Sequence, residues 1–378
     1  MKFLIIQVYQ TNPFKEGQGG GVRYVRNLLR GIQSSVREVL FLGLGKKEQQ
    51  KHIKLIPITK EITGYIKFLF MLMIKLLFIN LSKYDIVHVH RLYFAIPFIF
   101  LKPKLKIVCS LHGRTFSVFE SNNGSLKLKL IKPFFMIIER FAIKHIDYLI
   151  PVSQDVVNSF EIKYPNFTNN NIEIIGSMLD LSKFSILESK YLQDKFSPTN
   201  KYILFVGRLS DVKDINFLIN LWHEKFQDKK NVKLVIAGNG EDREKLLKLS
   251  EKICVENYPL FLGEINPSQV SKLISSSNIV ILASKHEASP TIIKESLSSG
   301  IPVITNNVGD VKDFIKDGKN GYIVNKDCNS YSHAITKLLT DPLSKDEVLE
   351  YSYKALETCS IEYVSNEYLK IYKKVIND

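Results

Sequence analysis

Residues 283–304 of the chain read ASKHEASPTIIKESLSSGIPVI. This pattern predicts a strand that ends near Ala283, followed by a loop and a helix. Ser289 stands where the N-cap of that helix is expected, and Pro290 stands at its first position. Gly300-Ile301-Pro302 stops the helix and leads into the next strand. A strand, a loop, a helix and another strand in this order favour a parallel α/β domain.

Two carboxylates bracket the start of the predicted helix, Glu287 in the loop and Glu295 in the second helical turn. A helix N-terminus offers unpaired backbone N–H groups to a diphosphate. Carboxylates accept hydrogen bonds from hydroxyl pairs, such as those of a sugar ring or a ribose. Two glutamates eight positions apart are, on their own, more typical of a solvated surface helix. The full string favours a sugar-nucleotide site, with Ser289, Pro290 and Thr291 as donor contacts.

The same alternation runs through all 378 residues, which are too many for one ordinary core. Short apolar runs alternate with amphipathic stretches in both halves, which predicts two Rossmann-like domains with parallel sheets facing across a cleft. Ile172–Ile175 is the last strand predicted in the first half. The predicted divisions are 1–176 for an acceptor-binding domain, 177–200 for a linker, 201–360 for a nucleotide-sugar domain, and 361–378 for a helix that packs across the domain boundary.

Charge is distributed unevenly along the chain. Residues 1–175 hold 25 Lys and Arg against 11 Asp and Glu, whereas residues 176–378 hold 27 of each, so the first half carries the whole net charge of +14. A one-sided basic surface indicates an anionic partner, which could be nucleic acid, an acidic membrane face or an anionic substrate. No nucleic-acid recognition motif accompanies the charge, so we expect no nucleic-acid partner.

The segment Tyr65–Ile79 is strongly apolar, but Lys67 and Lys75 interrupt it and it is shorter than a bilayer span. It is either a helix buried on most sides or a helix that lies in a membrane interface. Arg91–Lys106 and Lys127–Lys144 add basic and aromatic side chains. Because the N-terminus lacks the pattern of a signal peptide, we expect a cytoplasmic protein, peripheral on the inner face of the cell membrane.

Cations follow the first predicted strand of the second half, in Phe205-Val206-Gly207-Arg208-Leu209-Ser210-Asp211-Val212-Lys213. Two fixed cations beyond a strand end can neutralise the charge that develops on a leaving diphosphate. A pair of solvated surface cations is the simpler interpretation of this segment in isolation.

Three features of lower specificity remain. Gly19-Gly20-Gly21 precedes a predicted helix, and its glycines would let backbone amides approach a ligand or would simply form a flexible loop. His112 follows a strand of the first half within Ser110–Arg114, whereas His88 and His90 lie in or beside another strand. Gly263 follows a strand of the second half and is either an ordinary turn residue or a contact to the nucleotide base.

In these ordered motifs the sequence resembles family 4 of the glycosyltransferases, the retaining enzymes of the GT-B fold, over nearly its whole length. The resemblance implies that Glu287 contacts the donor sugar and that Glu295 binds the ribose hydroxyls. It also implies that Arg208 and Lys213 stabilise the leaving diphosphate. Further implied contacts are Gly20 and Gly21 near the donor phosphates, His112 near the reacting sugar carbon, and Gly263 near the base. Ala288 and Asp214 depart from the family, which usually has Gly at both places.

The expected function is therefore transfer of a sugar from a nucleotide diphosphate to a glycan or lipid-linked acceptor, with retention of anomeric configuration. We favour a UDP-sugar over a GDP-sugar and a role in bacterial surface polysaccharide or lipopolysaccharide assembly. No metal cofactor is expected, because the sequence lacks the Asp-x-Asp clamp and cationic side chains would replace it. A GT-B-type nucleotide-sugar epimerase and a non-catalytic sugar-nucleotide-binding protein are the alternatives.

Overall fold

The computed structural model describes residues 3–15, 20–113, 126–164, 171–184 and 189–377, without the side chains of residues 126–132 and 134. The chain forms two compact units. The first contains Met1–Met178 together with Cys359–Asp378, and the second contains Leu179–Thr358. Gly19 and Arg114, both part of predicted motifs, lie outside the described residues.

The first unit is built on a seven-stranded sheet within the described residues. Its strands are β1 (Phe3–Val8), β2 (Val36–Leu44), β3 (Glu48–Gln50), β4 (Ile53–Thr59), β5 (Ile86–Val89), β6 (Lys106–Leu111) and β7 (Tyr148–Pro151). They are ordered β3-β4-β2-β1-β5-β6-β7, and all neighbours are parallel except β3 and β4. The winding direction reverses between β1 and β5, so the loops after these two strands open a crevice where such sheets bind ligands.

Helices cover this sheet. They are α1 (Gly20–Gly31), α2 (Tyr65–Phe78), α3 (Ile96–Leu101), α4 (Leu126–Ile143) and α5 (Gln154–Lys163), and a 3-10 turn at Leu92–Ala95 precedes α3. The last helix of the chain, described below, also packs in this unit against α1.

The second unit is built on six strands within the described residues, all parallel. They are β8 (Lys201–Val206), β9 (Val232–Ala237), β10 (Leu260–Gly263), β11 (Ile279–Leu282), β12 (Val303–Thr305) and β13 (Gly321–Ile323). Their order β10-β9-β8-β11-β12-β13 is that of the doubly wound dinucleotide-binding fold. Here the winding direction reverses between β8 and β11, which are the strands that precede the two strongest motifs of the sequence.

The helices of the second unit are α6 (Tyr191–Lys195), α7 (Ile215–Phe226), α8 (Arg243–Ile253), α9 (Pro267–Ser275), α10 (Thr291–Ser298), α11 (Val311–Phe314), α12 (Cys328–Thr340) and α13 (Lys345–Glu357). Short 3-10 turns occur at Leu181–Phe184 and Asp211–Lys213. The chain then returns to the first unit in α14 (Ile361–Asn377).

The central strands are apolar because helices cover both faces of a parallel sheet. All but one residue of β1 is buried, and β8 is buried from Tyr202 to Phe205. Buried polar side chains interrupt this pattern in the first unit, where Gln7 and His88 are fully excluded from solvent. These two side chains take part in the hydrogen-bond network described below.

Two details of the sequence-based fold prediction were wrong. Ile172–Ile175 is not a strand, since only an isolated bridge joins Ile172 to Leu149. The edge strand β3 and its neighbour β4 were missed, because the polar residues of β3 and the alternating burial of β4 lack the continuous apolar run of a central strand.

Candidate active site

The loops after β8 and β11 lie side by side at the carboxyl edge of the second sheet. The backbone N–H of Lys285 donates to the carbonyl of Val212 at 2.8 Å, which ties the two loops together. Across this contact Lys213 Nζ forms an ion pair with Glu287 Oε1. The pair is accessible, with the lysine side chain 24% and the glutamate side chain 12% exposed. Two residues that are 74 positions apart in sequence are thus joined where such sheets bind their ligands.

Glu287 is held by more than this one cation. Ser284 Oγ donates to the same oxygen, Glu287 Oε1, at 2.7 Å. The carbonyl of Ser284 accepts from Asn306 Nδ2 at 3.0 Å, which fixes the start of the loop to the residue after β12. Within the described residues both side-chain donors to Glu287 act on Oε1, so Oε2 is available to accept a hydrogen bond from a ligand hydroxyl.

The predicted roles of Ser289 and Pro290 at the helix start need correction. Helix α10 begins at Thr291, with Pro290 in extended conformation at the N-cap rather than at the first helical position. Ser289 makes no capping hydrogen bond, because its hydroxyl donates to Asp310 Oδ2 at 2.6 Å instead. The first N–H groups of α10 therefore have no side-chain cap from the N-cap residue, which leaves this helix end suited to an anionic group.

Behind Ser289 lies a buried ion pair that the sequence did not indicate. Lys294 Nζ contacts Asp310 Oδ2 at 2.8 Å and Ser289 Oγ at 2.6 Å, and it lies 4.4 Å from the centre of the Phe314 ring. Gly309 allows this arrangement. Its φ is +57°, and a Cβ there would stand 2.7 Å from the carbonyl oxygen of Ala288. A lysine within an apolar helical pattern gives no signal that its partner lies after the next strand.

Glu295 is almost completely buried on α10, with 2% of its surface exposed. The two glutamates of the motif thus differ in environment, since Glu287 stands in a partly exposed loop and Glu295 faces inward. Their roles toward a donor stay a prediction.

The structure does not bring Arg208 to the Lys213–Glu287 pair. Arg208 Nε instead binds Glu241 Oε2 at 2.9 Å on the surface, and 71% of its side chain is exposed. Gly263 lies at the end of β10 with φ +71°, and its carbonyl accepts from the N–H of Gly238 at 2.7 Å. No atom lies within 4 Å of a Cβ at Gly263, so one side of this turn is open.

Asp214, the residue that replaces the usual glycine, has a left-handed backbone with φ +48°. Its carboxylate binds Lys326 Nζ at 2.6 Å. The strain of this conformation is small for an aspartate and is offset by that ion pair.

In the first unit, His112 follows β6 and is partly exposed, while His90 follows β5 and is buried. His112 Nε2 and His90 Nδ1 are 2.8 Å apart, with the ring centres 5.0 Å apart and the ring planes within 19° of each other. The edge of the Tyr24 ring packs against His112 at 4.7 Å. Burial, and secondarily the charge of Arg91, lowers the pKa of His112 to about 3. His112 is therefore a neutral imidazole at physiological pH.

Gly20 and Gly21 form the first residues of α1, not a loop ahead of it. A Cβ at Gly21 would lie 2.5 Å from the hydroxyl oxygen of Tyr9, so a larger residue there would displace the Tyr9 side chain. Among the described residues, no atom lies within 4 Å of a Cβ position at Gly20. Tyr9 follows β1 and packs edge-on against His90 and His112, which places the start of α1 at the crevice beside β1.

The sequence indicated Arg91 only as part of a basic stretch. It lies two residues after β5, with its guanidinium 4.8 Å from the centre of the Tyr65 ring and 5.9 Å from that of Tyr93. Among the residues that the structure describes, no carboxylate forms an ion pair with it. Aromatic faces stabilise this cation without pairing it to a carboxylate. Although burial raises the pKa of Glu139, the charge of Arg91 acts from a distance to lower it.

Helix α2 exposes apolar side chains. Only Phe68, Leu72 and Leu76 are buried, a single stripe spaced at four residues. Phe70, Leu77 and Phe78 are 62%, 63% and 82% exposed. The interpretation of a helix buried on most sides is therefore wrong for the described chain. Among the helices searched, none combines the length and apolar character needed to cross a membrane.

For the part of the chain that is described, no group of three or more His, Cys, Asp or Glu side chains has the arrangement of a metal site. The expectation that no metal is needed stays a prediction.

Comparison with known proteins gives this fold and site a class. A family model described as "Glycosyltransferase Family 4" matches residues 18–183, and one described as "Glycosyl transferases group 1" matches residues 189–355. The molecule is therefore a glycosyltransferase with two parallel-sheet units of the GT-B class. The chain belongs to glycosyltransferase family 4, as the sequence motifs predicted.

Sequence relatives include proteins of different specificity. An uncharacterised glycosyltransferase of Methanocaldococcus jannaschii is 31% identical over 175 residues, which is 46% of this chain but only 45% of that protein. The N-acetyl-alpha-D-glucosaminyl L-malate synthase of Bacillus anthracis is 24% identical over 307 residues, which is 78% of this chain and 76% of the synthase.

Solved structures share the fold. Sucrose-phosphate synthase from Thermosynechococcus elongatus superposes with a TM-score of 0.81 at 16% identity, covering 100% of both chains. Anabaena HepE in complex with UDP-glucose gives a TM-score of 0.75 at 15% identity, covering 98% of this chain and 100% of its own. WaaG, a glycosyltransferase involved in lipopolysaccharide biosynthesis, gives 0.73 at 16% identity, covering 98% of this chain and 99% of its own.

Proposed function

We propose that this enzyme transfers a hexose or N-acetylhexosamine from a nucleotide diphosphate sugar, preferably a UDP-sugar, with retention of anomeric configuration. The acceptor is a lipid-linked or polysaccharide glycan of bacterial surface glycan biosynthesis. The observation that carries the proposal is the Lys213–Glu287 pair at the reversal point between β8 and β11, beside the N-terminus of α10.

In the proposed reaction the bond between the sugar anomeric carbon and the diphosphate oxygen breaks, and the acceptor oxygen bonds to the same face of that carbon. The acceptor proton passes to the departing diphosphate. Lys213 and the start of α10 stabilise the negative charge that grows on the diphosphate. Glu287 accepts a hydrogen bond from a donor-sugar hydroxyl through Oε2. Arg208 must leave its surface contact with Glu241 to reach a diphosphate, so we assign it a smaller contribution.

Support for a UDP-sugar is comparative. HepE was crystallised with UDP-glucose, and WaaG acts in lipopolysaccharide biosynthesis. These two proteins resemble this chain only in fold. The identity of the donor is therefore the first property to determine.

The acceptor side of the proposal rests on the first unit. Arg91 is a cation without a carboxylate partner in the described chain, and it stacks on Tyr65, the first residue of α2. The exposed apolar side chains of α2, with Lys67 among them, suit a helix that lies in an anionic membrane surface. We therefore infer a peripheral enzyme on the cytoplasmic face of the membrane, with Arg91 near the anionic end of the acceptor.

A donor screen tests the transferase proposal. A donor that binds the folded chain raises its melting temperature, and we expect UDP-sugars to do so more than GDP-sugars. With an acceptor extract, the bound donor should release UDP and yield a glycoside, whose anomeric configuration is read by proton NMR. Inversion would refute the retaining mechanism. Free epimerised sugar nucleotide in the absence of acceptor would identify an epimerase, and binding without turnover would identify a non-catalytic protein.

Vesicle flotation tests the membrane proposal. The chain should float with phosphatidylglycerol vesicles at low salt and remain in solution with phosphatidylcholine vesicles. The variant Phe70→Glu/Leu77→Glu should lose flotation, whereas Tyr353→Glu, at an exposed aromatic of the second unit, should retain it. Equal flotation of both variants would exclude α2 as the contact.

A further inference from the structure

A continuous chain of hydrogen bonds runs from His112 into the interior of the first unit. His112 Nε2 lies 2.8 Å from His90 Nδ1, and His90 Nε2 lies 2.7 Å from Gln7 Oε1. Both contacts are within hydrogen-bond distance, and neither Gln7 nor His90 is exposed. The position of each proton along this series of hydrogen bonds can therefore be assigned from the chemistry of the groups that form it.

The amide oxygen of Gln7 can only accept a hydrogen bond, so His90 Nε2 must carry a proton. Burial holds the pKa of His90 well below its usual range, so the ring is neutral and its Nδ1 is an acceptor. The facing atom, His112 Nε2, must then be the donor. Because His112 is also neutral, its Nδ1 bears a lone pair.

The contacts at the other end of Gln7 fit the same orientation of its amide, and Gln7 Nε2 also lies 3.2 Å from His88 Nδ1. Gln7 Nε2 donates to the hydroxyl of Tyr372 at 3.3 Å, and that hydroxyl lies 2.7 Å from His88 Nδ1. His88 Nε2 lies 2.7 Å from Ser110 Oγ, which lies 2.8 Å from the hydroxyl of Tyr368. With His88 protonated on Nε2, every one of these groups has a matching donor and acceptor. Turning the amide of Gln7 over would reverse both histidines and place the proton of His112 on Nδ1.

We propose that Gln7 and His90 are positioning residues that hold His112 in the tautomer protonated on Nε2, so that its Nδ1 accepts a hydrogen bond from a substrate hydroxyl. His112 then acts as a hydrogen-bond acceptor and not as a general acid. That the hydroxyl belongs to a sugar rests on the proposed function, whereas the proton arrangement does not.

The last helix of the polypeptide contributes two side chains to this hydrogen-bond network. Tyr368 and Tyr372 lie on α14, about 260 residues after His112, and both are fully buried. The segment that returns from the second unit thus supplies a hydroxyl that contacts Gln7 and His88.

Nitrogen NMR of the full-length chain labelled with ¹⁵N-histidine measures the tautomer directly. The signals of His112 are those lost in His112→Asn. We expect a protonated Nε2 and an unprotonated Nδ1, unchanged between pH 8 and pH 5.5. Protonation on Nδ1, or a charged ring in this range, would overturn the proposal.

Variants at Gln7 test the cause. Gln7→Glu keeps an acceptor for His90 and should keep the tautomer of His112. Gln7→Met removes that acceptor and should give a mixture of His112 tautomers. Tyr24→Phe is the matched control, because it keeps the aromatic ring against His112. It removes only the hydroxyl of Tyr24, which ends the series of hydrogen bonds 3.0 Å from the hydroxyl of Tyr368. It should leave the tautomer unchanged. An unchanged tautomer in folded Gln7→Met would refute the role of Gln7.

Activity separates this inference from the function on which it builds. If the enzyme transfers sugar, kcat of Gln7→Met should fall about tenfold, the share of one hydrogen bond, and Gln7→Glu should recover part of it. Absence of transfer in the wild type with the expected tautomer would refute the function alone. An active wild type with the opposite tautomer would refute the inference alone.

Discussion

Lys294 and Asp310 form a salt bridge of 2.8 Å in which the lysine side chain is completely buried and the aspartate is 8% exposed. The pair links α10 to the loop after β12, and Ser289 completes it with a hydroxyl. It therefore fixes the position of the helix whose start is proposed to receive the diphosphate. Breaking such a pair costs more than replacing it as a whole, since a single substitution leaves a buried charge.

We expect Asp310→Ala to destabilise the second unit by about 3–5 kcal/mol, because the ammonium of Lys294 would lose its counter-charge. The double variant Lys294→Met/Asp310→Leu should recover most of this loss. Trp222, the single tryptophan of the chain, is buried in the second unit, so its fluorescence reports the denaturation of that unit. Equal losses in both variants would contradict the account.

Replacing Lys213 should impair chemistry more than folding. We expect Lys213→Gln to lower kcat by about 100- to 1,000-fold, as for the removal of one group that stabilises transition-state charge. The control is Lys285→Gln, whose ammonium binds Asp211 on the surface at 2.6 Å. It should change kcat less than about threefold, as expected for an exposed pair. Similar losses in the two variants would remove Lys213 from the reaction.

Arg91 should determine affinity for an anionic acceptor. Arg91→Gln is expected to raise KM for that acceptor at least about tenfold, with kcat for a neutral acceptor unchanged. Arg91→Lys should restore little, because an ammonium lacks the planar face that stacks on Tyr65. Lys83→Gln is the control, since this lysine of the same unit pairs with Glu38 on the surface. An unaltered KM would show that Arg91 only stabilises the fold.

Glu139 makes the stability of the first unit fall as pH rises from about 4.5 to about 7. Burial raises the pKa of Glu139 to about 7 from an ordinary 4.5, despite the hydrogen bond that Tyr164 donates to it. The folded chain thus binds this proton more tightly than the unfolded chain, and the associated stability is present at low pH and lost as pH rises toward 7.

Glu139→Gln removes this dependence and keeps an oxygen for Tyr164. We expect the variant to match the wild type at pH 4.5 and to exceed its free energy of unfolding by about 3 kcal/mol at pH 8. Urea denaturation followed by far-UV circular dichroism at the two pH values measures the difference. A constant difference between wild type and variant at both pH values would show that Glu139 does not titrate as proposed.

The sequence located the second-unit motifs well because they are local. Glu287 and Glu295 lie on one loop and one helix turn, so their spacing alone places them around a helix start. Lys213 was predicted near them because loops after parallel strands meet at one edge of the sheet. The role of Arg208 stays a prediction, since its long, exposed side chain pairs here with Glu241 on the surface.

Amino-acid order by itself determined the alternation of strands and helices, the two α/β units, and the family to which the chain belongs, because burial pattern and turn residues act over short distances. Only the tertiary structure decided that Ser289 donates to Asp310 and that Tyr372, near the end of the sequence, contacts Gln7. These contacts depend on which strands and helices become neighbours, and that is fixed by the packing of each unit as a whole. The local periodicity of the sequence does not indicate which elements become neighbours.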